Sequence, residues 1–200
     1  MSAEKIKDAA MHYFATQGYE GTSLSQIAEK VGIKKQSIYS HFSGKDDLFL
    51  QILNNTLQQE IHDLNTKLKH LHTNSLKETL YQLLEDIMSR YEHSEHMKFW
   101  LRMSYYPPMH LYEKVNDAIY QHDAEERKLF LSLFKKAIDD KVLKNRKPEH
   151  VTIAFIALLN AITVELVYGG IERASEVVKP SWEIFWDGIA RYSEGDGYDS

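Results

Sequence analysis

The chain has 200 residues, 43% of them hydrophobic and 26% charged, which is typical of a soluble globular protein with one core or two small domains. It contains no cysteine, which excludes disulfides and thiolate metal sites and suits a reducing cytoplasm. The start, Met1 to Asp8, lacks the apolar core of a signal peptide, so we expect a cytoplasmic protein. A net charge of −5 excludes general nucleic-acid coating, yet Ile33 to Lys45 contains three lysines and no acid. This local basic segment fits a restricted DNA contact.

Three short helices are predicted at the N-terminus. The spacing of Ile6, Ala10 and Phe14 predicts the first, which Gly18 and Gly21 end. The second runs from Leu24 to Val31 and stops at Gly32, with Ser23 and Gln26 forming a capping box at its start. The third is predicted from about Lys34 to His41, with Ile38 and Phe42 facing inward.

A long helix then begins near Asp46, with an apolar seam at Leu53, Leu57, Ile61, Leu64, Leu68 and Leu71. Further helices are predicted at 75–93, 95–105, 110–142, 148–169 and 176–193, so the fold class is all-α. Residues 194–200 are expected to form a disordered tail. Val151 to Gly170 is apolar and long enough to span a membrane, but Asn160, Thr163 and Glu165 favour a helix buried in protein, so no membrane partner is expected.

The helix–Gly turn–helix corner from Ser23 to Phe42 contains the side chains that are suited to contact DNA. Lys34 and Lys35 stand where the helix dipole disfavours cations, which indicates a polyanionic partner. Outward side chains that could contact base edges follow at Gln36, Ser37 and Ser40. Tyr39 and His41 are placed to donate hydrogen bonds to phosphate oxygens. The alternative is a solvated face on a small core corner.

The residues Thr22-x4-Ile27-Ala28, Gly32-Ile33 and Ser37-Ile38-Tyr39-x-His41-Phe42-x-x-Lys45-x-x-Leu48 resemble the TetR family of regulators over about residues 5 to 50. The resemblance implies a DNA-binding domain at 1–48, joined to a ligand-binding and dimerisation domain at 49–193. It implies a homodimer that binds double-stranded operator DNA, usually as a repressor released by a small molecule. By the same resemblance Thr22, Tyr39, His41 and Lys45 would contact phosphates, and Lys35, Gln36 and Ser37 would approach bases. Lys34 and Gln36 depart from the family pattern, where Ser or Thr and a small residue are usual.

The last two helices are the candidates for the dimer interface, because the first of them is apolar almost all round. The interface residues predicted on them are Ala157, Ala161, Val164, Trp182, Phe185 and Ile189. The alternative is a buried central helix in a monomer. Glu165 within the first needs a partner, which could be an arginine or lysine across the dimer, a hydroxyl, or a cationic aromatic ligand.

The middle of the chain is rich in aromatic residues, which often line small-molecule sites. The effector-binding residues predicted here are Phe99, Trp100, Met103, Tyr106, Phe155 and Asn160. Plain core packing is the alternative for each of them.

Two competing functions remain open from the sequence: a helical enzyme, and an adaptor whose N-terminal corner binds a protein partner. The chain shows no phosphate-binding loop, nucleophile elbow, zinc motif or kinase signature, so no enzyme and no cofactor are predicted. His93 and His96 could share a helical face, but surface histidines are the favoured interpretation and no metal is predicted.

Overall fold

A computed structural model describes residues 3–69 and 75–191, and within them the predicted all-α class is confirmed. The helices are α1 (Ala3–Gln17), α2 (Leu24–Val31), α3 (Lys35–Ile38), α4 (Lys45–Lys69), α5 (Leu76–His93), α6 (Glu95–Tyr105), α7 (Tyr112–Asp139) and α8 (Pro148–Ile189). A 3-10 turn at Met109–Leu111 precedes α7. The predicted tail at 194–200, and Leu71 of the predicted seam, lie outside the described residues.

The chain divides into two compact units. The first contains Met1–Leu64 and Ser89–Asp123, and the second contains Asn65–Met88 and Ala124–Ser200. The first unit therefore packs residues 89–123 together with the N-terminal helices. This is a division by packing, and the functional boundary after residue 48 stays a prediction.

The core of the first unit is aromatic. The predicted inner face of α1 is buried at Ile6, Ala10 and Phe14. The Phe14 ring meets Phe49 of α4 edge-on, with 5.3 Å between the centroids, and Phe49 in turn lies 5.8 Å from Phe99 of α6. Three short helices cannot bury a stable core alone, and α4 and α6 supply the missing apolar surface.

The second unit is built against one face of α8. Phe155 is fully buried, and its ring meets those of Phe130 and Phe134 of α7 at 5.0 and 5.7 Å. Leu158, Leu159, Ile162 and Leu166 continue the same buried face. The edge-on geometry of the phenylalanines is the arrangement that aromatic quadrupoles favour.

Helix α8 is interrupted at Gly170, which adopts φ 74° and ψ −171°, a conformation essentially restricted to glycine. The sequence predicts separate helices at 148–169 and 176–193, so the structure places the break where the first was expected to end. A Cβ on Gly169 would come within 2.3 Å of the Arg173 side chain. Arg173 Nη2 lies 2.6 Å from Glu165 Oε2, so a cation of the same chain partners the carboxylate across the break.

Of the described residues, only Pro148–Ile189 form a helix long and apolar enough to cross a membrane, judged by length and composition. The core helix of a soluble protein passes the same test. The buried aromatic face of α8, together with its break, fits a core helix, as Asn160, Thr163 and Glu165 indicate.

Candidate nucleic-acid interface

The corner between α2 and α3 is set by local backbone chemistry. The predicted capping box is confirmed: Gln26 N donates to Ser23 Oγ at 3.2 Å, and Ser23 N donates to Gln26 Oε1 at 2.8 Å. Gly32 ends α2 in the left-handed conformation with φ 74°. The Ile33 amide then donates to the carbonyl of Ala28 at 2.9 Å, which closes the turn. This geometry fixes where α3 begins.

Helix α3 presents a polar surface to solvent over a buried apolar underside. Ile38 is 0% exposed and Phe42 is 2% exposed, so both predicted core positions are confirmed. The exposed side chains of this segment, which we call the α3 face, are Lys34, Lys35, Gln36, Ser37, Tyr39, Ser40 and His41. Because acidic residues are absent from 31–45, the α3 face carries positive charge on a chain of net charge −5. Such a face suits phosphate and base contacts.

The side chains of the two lysines at the start of α3 have no polar partner among the described residues. Lys34 stands at the N-cap without a side-chain capping bond, and the side chains of Lys34 and Lys35 make no hydrogen bond or ion pair within the described residues, although the Lys34 carbonyl accepts from the Ser37 amide at 2.9 Å. The helix itself is shorter than the sequence predicts, covering Lys35–Ile38 and not 34–41. Tyr39 to His41 instead form a turn, closed by the His41 amide on the carbonyl of Ile38 at 2.9 Å.

Thr22 and Lys45 lie close together and make contacts within the protein. The Thr22 side chain is 2% exposed, and its hydroxyl donates to the carbonyl of Gly18 at 2.7 Å. Lys45 Nζ donates to the carbonyls of Tyr19 and Thr22, both at 2.9 Å, and lies 4.0 Å from the centroid of the Tyr19 ring. These bonds tie the α1–α2 loop to the start of α4. Phosphate contacts by Thr22 and Lys45 stay predictions.

A second set of side chains at the same place was not identified from the sequence. The Tyr19 hydroxyl donates to Asp46, and His110 Nε2 lies 3.3 Å from the same carboxylate oxygen. Burial, and after it the bond to Asp46, raises the pKa of Tyr19. The bond from Tyr19, helped by His110, lowers the pKa of Asp46. Nothing in the spacing of these residues could reveal the cluster, because His110 is 64 residues from Asp46.

Helix α6 is attached to α1 at two points. Arg102 Nη1 donates to the carbonyls of Ala15 and Thr16 at 3.3 and 3.4 Å, which satisfies the C-terminal end of α1. Closer to the start of α6, Glu95 pairs with His12. The position of α1 in the first unit therefore depends directly on α6.

The predicted effector-binding residues divide between the two units. Phe99 and Met103 are buried in the core of the first unit, Trp100 is half-buried beside it, and Tyr106 is 56% exposed. In the second unit Phe155 is buried, whereas Asn160 is exposed. Their role in ligand binding stays a prediction.

The predicted dimer residues also fall into two groups. Ala157, Ala161 and Val164 are exposed along α8. Trp182 and Ile189 are buried within their own unit, and Phe185 is half-buried. An open apolar groove of about 480 Å³ lies between Ala154, Leu158, Pro180, Ser181, Ile184 and Phe185.

Comparison with known proteins agrees with this geometry. Residues 6–52 match the model of bacterial regulatory proteins of the tetR family. The IcaR regulator of Staphylococcus epidermidis, a negative transcriptional regulator of the biofilm operon icaADBC, is 26% identical over 169 residues, covering 82% of this chain and 79% of that protein.

Solved structures show the same fold. A TetR transcription regulator from Haloarcula marismortui superposes with a TM-score of 0.75 at 20% identity, covering 94% of this chain and 97% of that one. The FadR regulator of Bacillus subtilis, in complex with stearoyl-CoA, gives a TM-score of 0.64 at 15% identity, covering 90% and 97%.

The helix-turn-helix corner with its exposed basic face, followed by helical α4 to α8, defines a DNA-binding transcriptional regulator and not an enzyme. Residues 6–52 match the tetR family of bacterial regulatory proteins, and the chain as a whole is similar to the IcaR regulator and shares its fold with solved tetR-family regulators.

Proposed function

We propose that the chain is a cytoplasmic, ligand-responsive repressor that binds a palindromic operator as a homodimer. The observation that carries the proposal is the α3 face, where every polar side chain from Lys34 to Ser37 is exposed while Ile38 below them is buried. A negative regulator among the relatives supports repression. A structural neighbour in complex with stearoyl-CoA supports release by a small molecule.

In this proposal the α3 face enters the major groove. The Gln36 carboxamide pairs with adenine, and Lys35 and Ser37 approach neighbouring bases. Lys34, Tyr39, Ser40 and His41 face the phosphates on either side. One such face reads few base pairs, so a two-fold pair of faces reading half-sites about one turn or more apart supplies the affinity and the palindrome.

The exposed apolar stripe of α8 supports pairing. Ile153 is 50% exposed, Val164 is 39% exposed and Tyr168 is 61% exposed, and the exposed Ala157 and Ala161 lie between them at helical spacing. An apolar stripe of this length on a helix that already buries its opposite face calls for a second apolar partner. A second copy of the chain meets that need with a self-complementary surface.

DNA binding is tested with a Lys34→Ala, Lys35→Ala double variant and a duplex enriched from a random pool by the wild-type protein. Fluorescence polarisation should show weaker binding, and a plot of log affinity against log salt should lose about one unit of slope, because the loss is about 0.9 per phosphate contact and Lys34 is the phosphate contact removed. A Lys128→Ala variant is the control, because Lys128 is an exposed residue of α7 that pairs with Glu125. Unchanged affinity and slope in the double variant would refute the assignment of the α3 face.

Pairing is tested separately with Ala161→Glu, which places a carboxylate in the middle of the exposed stripe. Sedimentation should show a dimer for the wild type and a monomer for the variant. Glu172→Ala, at an exposed polar position of the same helix, should stay dimeric. A monomeric wild type, or a fully dimeric Ala161→Glu variant, would contradict the α8 interface and leave the DNA assignment standing.

A further inference from the structure

The indole nitrogen of Trp100 on α6 is buried and has no hydrogen-bond partner among the described residues. Buried polar groups normally have one, so an orphan of this kind needs an explanation. An indole N–H can only donate, which means that the missing partner is an acceptor. The backbone of Trp100 is satisfied separately, since its carbonyl accepts from the Ser104 hydroxyl at 2.9 Å.

The ring of a second buried polar side chain packs near the ring of Trp100. The His122 ring of α7 has its centroid 5.8 Å from that of Trp100, with an angle of 51° between the planes. The His122 side chain is 5% exposed, and the polar contact seen for it is between Nδ1 and the Asp123 carboxylate, at 3.3 Å. The carboxylate is 61% exposed, so water screens its charge. An imidazole can offer a second donor to the same acceptor.

Trp100 is adjacent on α6 to a residue of the DNA-reading core. Phe99 packs 5.8 Å from Phe49 and 6.3 Å from Phe14, and consecutive residues point about 100° apart around a helix. Helix α6 therefore packs into the core beside α1 through Phe99, and its next residue, Trp100, packs near the ring of His122. A molecule bound at Trp100 would act on the helix that positions α1.

We propose that Trp100 and His122 form the polar end of the effector site, and that they receive an apolar molecule carrying a carboxylate. This rests on the proposed function as a ligand-responsive regulator, and it adds the chemical class of the ligand. A carboxylate accepts from the indole N–H and from the imidazole together, and the remainder of the molecule lies against the apolar side chains of α6 and α7.

The test uses the full chain and two probes with the same tail: octanoate, which has the acceptor, and octylammonium, which can only donate. The three tryptophans give three indole N–H resonances in a ¹H–¹⁵N spectrum, and Trp100→Phe identifies one by its loss. Octanoate should shift the Trp100 resonance saturably, and octylammonium should leave it in place. Trp100→Phe should weaken octanoate binding about five-fold, the worth of one hydrogen bond. Trp186→Phe, which removes an indole from the second unit, should leave the affinity unchanged.

A Trp100 resonance that octanoate does not move, or that contacts bound water only, would overturn the proposal. If Trp100→Phe does not fold, the resonances lost in Trp182→Phe and Trp186→Phe assign the Trp100 resonance by elimination. Equal octanoate affinity in wild type and Trp100→Phe would also overturn it. The two proposals fail separately. Octanoate binding at Trp100 without any binding of the enriched duplex would contradict the DNA function alone. DNA release by octanoate that survives Trp100→Phe would contradict the site alone.

Discussion

Lys45 offers the sharpest test of how the DNA-reading unit is held together. Its ammonium makes two bonds to the carbonyls of Tyr19 and Thr22 and lies over the Tyr19 ring. Hydrogen bonds to charged groups are each worth about 1.5–3 kcal/mol, and an exposed cation–π contact adds about 0.5–1 kcal/mol. Because Lys45 is half-buried, solvent weakens these interactions, and we expect Lys45→Met to lower the free energy of unfolding by about 2–3 kcal/mol.

The assay is chemical and thermal unfolding, with Lys34→Met as the matched control. For a chain of this size the Lys45→Met loss corresponds to a fall in Tm of about 5–10 °C. Lys34→Met should unfold like the wild type, because the Lys34 side chain makes no hydrogen bond or ion pair within the described residues, and should instead weaken DNA binding. Wild-type stability in Lys45→Met, with a loss of DNA affinity equal to that of Lys34→Met, would show that Lys45 is a phosphate contact and not a structural tie.

Three further substitutions test other parts of the account. Gly170→Ala should destabilise the protein by about 1–3 kcal/mol in denaturant titrations, because φ 74° with ψ −171° strains any residue other than glycine. Gly188→Ala is the control and should be neutral or stabilising, because a Cβ at Gly188 would meet open space. Equal effects of the two substitutions would contradict the break in α8. Ser23→Ala removes the cap of α2 and should cost about 1 kcal/mol, with Ser25→Ala as the silent control, and no measurable loss would contradict the capping box. The lowered pKa of Asp46 means that its ionised form stabilises the fold above its ordinary value of 3.8 and that this contribution is lost as pH falls through the lower folded value. Asp46→Asn should therefore be less stable than the wild type at pH 6 and equal to it near pH 2, and a gap that persists at pH 2 would refute the linkage.

Much of the first unit follows from local sequence signals. The capping box at Ser23, the turn at Gly32 and the burial of Ile38 and Phe42 depend on neighbours within a few residues, and the structure confirms each of them. The length of α3 was overestimated because the apolar spacing continues to Phe42, although the backbone there already forms a turn.

The contacts that join distant segments could not be predicted in this way. Arg102 reaches the end of α1 across 86 and 87 residues of sequence, and His110 reaches Asp46 across 64. Neither pair has a spacing rule that periodicity could detect. Phe99 shows the same limit, since an aromatic residue at helical spacing suits a ligand pocket and a core equally well, and its packing against Phe49 is a tertiary fact.

The orphan nitrogen of Trp100 is also a tertiary property. The sequence places an aromatic residue on α6 but cannot tell whether its N–H finds an acceptor, because that depends on which α7 side chain lies opposite. The partner of Glu165 was open for a similar reason. Arg173 reaches it because Gly169 leaves room for the arginine stem beside the break in α8.

Selection of duplexes from a random-sequence pool tests the central claim most directly, with the wild type and Gln36→Ala compared side by side. The wild type should enrich a two-fold symmetric sequence whose half-sites lie about one helical turn or more apart, and Gln36→Ala should relax the preference at one symmetric pair of positions. No enrichment, or a site without symmetry that Gln36→Ala reads identically, would contradict a paired α3 face reading DNA.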